Sequence, residues 1–507
     1  MKTQPPVRKQ PPGRTYAPVR KLTFSKADNA GTRAHATPDQ PARSKNPVRN
    51  VWAGSKLRAQ ANRHLVPGAA VAGSTAGDDS SSLPAPQFSS IHRIGLFSCC
   101  AYIFAGNAND LSLRLIGAKA YLSWVFGASM LVAFLVCGTA LRGLKLSTGK
   151  FWTGFAVFLV GSSLFSISHG RSVGLLQEYF PKTLFVYFYS CAFALTVRSC
   201  RTLFRANILC TTAILVSALL FGAVDYTGRF NIPNSLFFGN SNDFALALVC
   251  SLGFSMYLIC QDAILLRILG SVEFLASLYF MLKTGSRGGF LALAGCLIVW
   301  LICFQKRGRL LAVILPGVFA VGFLPSHILQ RLVTIRVPGT ITVTAETNAD
   351  DGSQAERTAL LGKAVRFALT HPVFGTGPGT FPDALWLDDM ANGTHTAALG
   401  THNTYAQLAA EDGFPVLFLY LGVLFGSIKL NYRIMKRTAG FASAEQVYTM
   451  AGCLLGSLVA YAIATAFDHV AYSPTLPLLS GLSVSLYMAT RGGNPQWVES
   501  QLREGNA

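Results

Sequence analysis

The chain has 507 residues, of which 51% are hydrophobic and 13% charged, with a formal net charge of +20. An average globular chain is about 25% charged, whereas here apolar stretches of membrane-spanning length recur from about residue 90 to 490. A water-soluble core built on amphipathic stripes is excluded, and the expected class is an all-α polytopic membrane protein.

Residues 1–90 are rich in Lys, Arg, Pro, Ser, Gly and Ala and poor in aliphatics. Such a stretch buries too little apolar surface to fold alone and reads as a disordered basic tail. Its first 30 residues hold no apolar h-region, so no cleavable signal peptide is expected. The charge suits the cytoplasmic face and contact with anionic membrane lipids. Nucleic acid is not an expected partner.

Twelve transmembrane helices are predicted, at 93–108, 119–140, 151–168, 180–197, 206–224, 243–260, 264–282, 288–304, 309–325, 404–428, 446–467 and 474–490. Nine fall in a 91–326 block and three in a 404–490 block. A long polar loop, 327–403, separates the blocks, and 491–507 forms a short tail. Basic residues mark alternate breaks: Arg142, Lys145 and Lys150; Arg198, Arg201 and Arg205; Lys306, Arg307 and Arg309; and Lys429, Arg433, Lys436 and Arg437. This alternation places both termini in the cytoplasm and the 327–403 loop outside. The 11 cysteines lie in or beside apolar segments without disulfide or zinc spacing, and are expected as buried free thiols.

The polar chemistry gathers on the outer face. Arg287, within Thr284-Gly285-Ser286-Arg287-Gly288-Gly289, opens a span on that side. A cation there opposes the helix dipole and the charge bias of outside loops. An anion resolves both conflicts, because backbone N–H groups and a guanidinium converge on phosphate; snorkelling to headgroups is the plainer reading. Arg229 is a second outside arginine, followed by the turn-rich Gly239-Asn240-Ser241-Asn242-Asp243. The long loop resumes helical patterning from Gln354 to Ala368, with Glu356 and Arg357. It then runs through His371-Pro372-Val373-Phe374-Gly375-Thr376-Gly377-Pro378-Gly379-Thr380-Phe381. Those glycines lack the GK[ST] ending of a P-loop.

Gly400-Thr401-His402-Asn403-Thr404 closes the loop, and a helix is expected to start at Asn403 or Thr404, both good cap types. His402 is the titratable base with a near-neutral ordinary pKa at that lip. Glu411, nine residues on, is about half a turn off the face of His402, so a helix break at Glu411-Asp412-Gly413 is expected instead of a direct pairing. Glu273 inside a span and Asp468-His469 at a span end are read as structural.

In order, these passages resemble the O-antigen ligase and polymerase superfamily of bacterial inner-membrane glycosyltransferases. The resemblance rests on Ser286-Arg287-Gly288, on Arg357 followed by His371-Pro372, Phe374-Gly375 and Gly377-Pro378-Gly379-Thr380-Phe381, and on His402-Asn403-Thr404-Tyr405 followed by Ala410-Glu411 and Gly413. Pro415 departs from the family's second glycine, and the basic tail is no part of its pattern. The resemblance implies a GT-C-like fold of about a dozen spans with a large extracytoplasmic loop bearing helices. It implies metal-independent and cofactor-free transfer of a glycan from an undecaprenyl-diphosphate donor. The acceptor would be lipid A core, a growing glycan or a protein. It assigns catalytic roles to Arg287 and His402, and substrate contacts to Arg229, Ser286, Arg357 and Asn403. The alternative is a transporter or lipid-linked sugar flippase, which would carry ionisable residues near the bilayer midplane and inverted repeats.

Overall fold

The computed structural model describes residues 90–116, 122–225, 228–235, 237–304, 308, 311, 348–393 and 400–491, all within the compact unit Asp78–Ala507. The expected basic tail before Ser90, nearly all of the expected ninth span at 309–325, and the start of the outer loop lie outside these residues.

The described part is helical, as its apolar periodicity dictates. Its helices are α1 (Ser90–Asn107), α2 (Asn109–Ile116), α3 (Leu122–Val136), α4 (Ser147–Leu164), α5 (His169–Tyr179), α6 (Phe185–Phe193) and α7 (Val197–Phe221). Then come α8 (Ser241–Ile259), α9 (Ile264–Lys283), α10 (Arg287–Cys303), α11 (Asn348–Thr370) and α12 (Phe381–Asn392). The last four are α13 (Thr404–Asp412), α14 (Phe414–Thr438), α15 (Glu445–Ala464) and α16 (Thr475–Ala489). Between α7 and α8, Ala223–Val224 pairs antiparallel with Phe230–Asn231 as a short ladder, β1 and β2.

Among the described residues, 5 helices are long and apolar enough to cross a membrane: Val197–Phe221, Ser241–Ile259, Ile264–Lys283, Phe414–Thr438 and Ala442–Phe467. Shorter apolar helices at Ser123–Val136, Arg287–Cys303 and Thr475–Ala489 accompany them. The protein is therefore an all-α membrane protein with a minor β ladder. Two expected spans are corrected. The 180–197 span is the later part of a helical run that starts earlier, with α5, a π turn at Phe180–Leu184 and α6 following one another from His169 to Phe193. The π turn falls where Pro181 lacks the N–H of a regular turn. The 404–428 span divides at Gly413, whose φ of +85° ends α13 and starts α14. Apolar helix thus begins at Phe414, and the expected break at Glu411-Asp412-Gly413 is observed.

The core is one layered bundle around α8, which packs against α9 and α15; α10 packs on α15, α4 on α14, and α6 on α16. Buried polar atoms bind these layers where no water competes. Trp152 Nε1 donates to Ser480 Oγ at 3.0 Å, Trp300 Nε1 to Gly452 O at 3.2 Å, and Ser457 Oγ to Cys250 O at 2.7 Å. The Tyr420 and Tyr461 hydroxyls meet at 2.6 Å. Glu273 of α9 accepts from Thr212 Oγ1 of α7 at 3.3 Å and Ser255 Oγ of α8 at 3.2 Å, which makes it a clasp across three helices. All 11 cysteines are free thiols.

Outside the spans, α11 lies against α13 and packs Leu360, Ala364 and Phe367 on Phe381, Ala384, Leu385 and Ala410. The glycine-rich turn between α11 and α12 threads beside the end of α13. Thr376 N donates to Ala410 O at 2.9 Å and Gly377 N to Glu411 O at 2.7 Å. Gly375, with φ +61°, has no space for a Cβ, which would lie 2.2 Å from the Glu411 carbonyl carbon.

Candidate functional site

The site is assembled where the starts of α8, α10 and α13 meet the loop that follows α15. Each of the three helices is capped by a side chain the sequence supplies at its first turn. Asn240 accepts from Asn242 N at 2.9 Å, Ser286 Oγ from Gly289 N at 3.2 Å, and Asn403 Oδ1 from the N–H groups of Tyr405 and Ala406 at 3.0 Å each. Three helix N-termini, each with its positive dipole end, therefore surround one region.

Arg229, in the loop after α7, is fixed there. Its Nε donates to Thr284 O at 2.9 Å and its Nη2 to Asn242 Oδ1 at 2.6 Å. Its own N–H donates to Asp225 Oδ1 at 2.9 Å. Ser286 Oγ donates to the same Asn242 Oδ1 at 3.0 Å. One amide oxygen thus ties Arg229 to the residue that precedes Arg287. Arg287 is half-buried at the first position of α10. The next residue, Gly288, lies against Phe467, where a Cβ would come within 2.7 Å of the Phe467 Cβ.

Phe467 leads into Asp468 and His469, and this loop grips the start of α13. Thr404 Oγ1 donates to Asp468 O at 2.8 Å and accepts from Val470 N at 3.0 Å. Asn403 Nδ2 donates to Ala466 O at 3.0 Å. These bonds hold His402 in the left-handed region, with φ +48°, a conformation His tolerates more readily than most side chains. Its ring meets that of His469 edge-on, with centroids 5.1 Å apart. Its Nδ1 is buried and has no hydrogen-bond partner among the described residues. Burial, then His469, Arg357 and Arg229, push the His402 imidazole down to about 4, so it is neutral at neutral pH.

Asp468 is 2% exposed. Its Oδ1 accepts from His469 N at 2.9 Å, and Asp243, in the first turn of α8, is close enough to act on its charge. Burial and Asp243 raise the Asp468 pKa, which Arg229 opposes. Burial lowers that of His469, which Asp243 opposes.

Of the residues expected from sequence, Arg229 and Ser286 are directly joined through Asn242. Arg229 and Arg357 lie close enough to His402 to act on its charge. Arg287 opens the helix that abuts Phe467, next in sequence to Asp468. Ser286 and Asn403 both cap helices that point at the region. Sequence reasoning read Asn242 as turn chemistry and passed over Asp243. It set Asp468 and His469 aside as structural, although an adjacent Asp-His pair at a span end is a visible sign. No group of His, Cys, Asp and Glu suited to hold a metal ion occurs among the described residues.

The arrangement provides a neutral imidazole whose Nδ1 has no partner among the described residues, two guanidiniums, Arg229 and Arg357, near enough to act on its charge, and three helix N-termini. Such a set has the groups needed to take a proton and to stabilise an anion. Residues 273–421 match the family model described as O-antigen ligase. No curated protein matches the chain.

Proposed function

We propose that the chain is a member of the O-antigen ligase/polymerase superfamily, whose O-antigen ligase model residues 273–421 match, and that it transfers a glycan from an undecaprenyl-diphosphate donor to an acceptor hydroxyl on the outer face of a bacterial inner membrane. The observation that carries this reading is the convergence of the starts of α8, α10 and α13 beside His402, with Arg229 tied to Ser286 through Asn242 and Asn403 and Thr404 bound to the loop after α15.

In the proposed step the acceptor O–H bond breaks and its proton passes to His402, while the acceptor oxygen bonds the anomeric carbon. The anomeric C–O bond to phosphate breaks, and its electron pair leaves with the lipid diphosphate. Arg287, Arg229 and Arg357 stabilise that growing charge in a water-poor setting. Ser286 and Asn403 line the donor while fixing the N-termini of α10 and α13. The lipid tail stays in the bilayer, which is why such a site belongs at span ends and not in a separate soluble domain. A growing glycan, a lipid A core sugar or a protein hydroxyl would serve as acceptor in the same chemistry. Both termini would be cytoplasmic, with α11 and α12 outside.

Purified protein in lipid is given an undecaprenyl-diphosphate glycan and candidate acceptors, and His402→Ala and Arg287→Ala are compared with wild type. Loss of transfer in both variants is expected, and undiminished transfer in both sinks the assignment. A topology reporter fused after residue 360 is expected outside; a cytoplasmic reporter overturns the mechanism.

A further inference from the structure

Two adjacent carboxyl groups end α13, and both meet one phenol. Tyr472, in the loop after α15, places its Oη 2.8 Å from Glu411 Oε2 and 2.8 Å from Asp412 Oδ2. A phenol has one hydrogen to donate, so two ionised carboxylates at that distance leave one oxygen–oxygen contact with no hydrogen in it. The Glu411 carboxylate also accepts from Gly379 N, Phe381 N and Gln407 Nε2, and so many donors favour its ionised form. Asp412 is placed differently. It is 0% exposed, and its Oδ1 is buried with no hydrogen-bond partner among the described residues. The nearby Ser162 hydroxyl of α4 points its hydrogen at the carbonyls of Phe374 and Glu411. An anion at Asp412 would keep charge on an oxygen without a donor, whereas a neutral acid leaves only a carbonyl-type oxygen unbonded.

We propose that Asp412 is held as a neutral acid donating to Tyr472 Oη, while Tyr472 donates to the Glu411 carboxylate, and that these three groups form a pH-sensitive latch between the outer hairpin and the loop after α15. Each hydrogen then has one acceptor. On one side Glu411 fastens the turn at Gly379 and Phe381. On the other, Tyr472 belongs to the loop whose Asp468 and Val470 hold Thr404, in the first turn after His402. The groups that face Asp412 are Glu411 on its own helix, Tyr472, Tyr179 of α5 and the Ser162 hydroxyl; none of them is a cation. Burial, then Glu411, push the Asp412 carboxyl well above its ordinary value, against the hydrogen bonds of Tyr472 and Ser162. Loss of the proton sets a second anion against the single phenol hydrogen and weakens the joint. The latch holds whatever reaction the site performs.

The folded state keeps a proton that unfolded Asp412 releases near its ordinary value of 3.8. Stability from this group is full below that pH and declines as pH rises, until the folded acid itself ionises. Across that window each pH unit lowers the folding constant of wild type about tenfold relative to a chain without a carboxyl at 412. Asp412→Asn is such a chain, and its amide donates to Tyr472 as the acid does. It is expected to melt no lower than wild type at neutral pH and above it on the alkaline side. Removal of a buried ionised partner would instead destabilise the protein at both. Opening of the joint frees Asp412 to ionise, so hydrogen exchange at the 375–381 amides, corrected for its intrinsic base catalysis, is expected to quicken with pH in wild type. In Asp412→Asn the corrected exchange stays level.

The full chain in lipid is read by the infrared C=O stretch of protonated carboxyl groups at neutral pH, by its melting midpoint as pH rises from neutral, and by amide exchange in the turn. A band present in wild type and lost in Asp412→Asn reports the neutral acid without any activity assay. A spectrum that Asp412→Asn leaves unaltered overturns the proposal. So does a gap in midpoint between the two proteins that stays constant with pH, or an equal pH dependence of exchange in the turn. If Asp412→Asn does not fold, Tyr472→Phe decides. There the acid keeps its proton but loses its acceptor, so its band is expected to move to higher frequency, and an unmoved band overturns the latch.

Discussion

Glu411 and Phe381 are 30 residues apart, and the Glu411 carboxylate accepts the Phe381 backbone N–H at 3.1 Å. The same carboxylate accepts from Gly379 N at 3.1 Å, Gln407 Nε2 at 3.2 Å and the Tyr472 hydroxyl at 2.8 Å. One buried side chain at the end of α13 therefore fixes the start of α12, the turn before it and the loop after α15. Glu411 is 1% exposed. Glu411→Gln would set an NH₂ group against these donors, and Glu411→Ala would leave them all without an acceptor. A loss of about 3 kcal/mol or more is expected for alanine and less for glutamine. Thermal unfolding of the detergent-solubilised protein measures it; a midpoint unchanged in alanine would show that the turn is held by other bonds.

Arg229 spends its Nε and Nη2 on two acceptors held in fixed directions, Thr284 O and Asn242 Oδ1. A lysine has no such fork. Arg229→Lys is expected to lose about as much transfer as Arg229→Ala, on the order of a hundredfold in kcat. Near-complete rescue by lysine, in the same transfer assay, would reduce Arg229 to a bare charge.

The low His402 pKa sets the acid side of the pH profile. The imidazole stays neutral until the pH approaches about 4, so kcat/KM should hold steady through pH 6.5 and fall only well below it. Unfolded His402 binds its proton near the ordinary value of 6.5 and the folded residue only near 4. The unfolded state thus takes up more protons between those values, and stability falls as pH drops through that window. Initial-rate and unfolding measurements from pH 7 downward test both; an acid limb at 6.5 would mean that the imidazole is more hydrated than its burial implies.

The backbone of residue 402 separates chemistry from fold. At φ +48° an asparagine is tolerated, while a β-branched side chain costs about 1–2 kcal/mol. His402→Asn is expected to abolish transfer with a near-native melting point, and His402→Val to abolish transfer and melt earlier. Equal melting points would remove the strain argument.

Much of this was legible before any coordinates. Apolar runs of spanning length mark α7, α8, α9 and α15 because the bilayer imposes their length. Ser286, Asn240 and Asn403 announce helix starts because their short polar side chains match orphan N–H groups. Gly413 showed as a break because Glu411 and Asp412 interrupt the apolar run. The π turn at Phe180–Leu184 did not show, since Pro181 just inside an apolar run reads as the first turn of a span, where proline is tolerated. Nor did the grip of the loop after α15 on Thr404, for nothing local couples residues so far apart in sequence. Asn242 looked like a turn former and became the link between Arg229 and Ser286, a role set by packing alone.

The Glu411 anchor also bears on how such chains diversify. The turn of the outer hairpin of α11 and α12 is fastened to a carboxylate that belongs to α13, three residues before the spanning helix begins at Phe414. It is therefore not a detachable cassette. A chimera that imports the hairpin from a relative must bring the turn at 375–381 and the acceptor at 411 together, or the graft arrives with its fastening left behind.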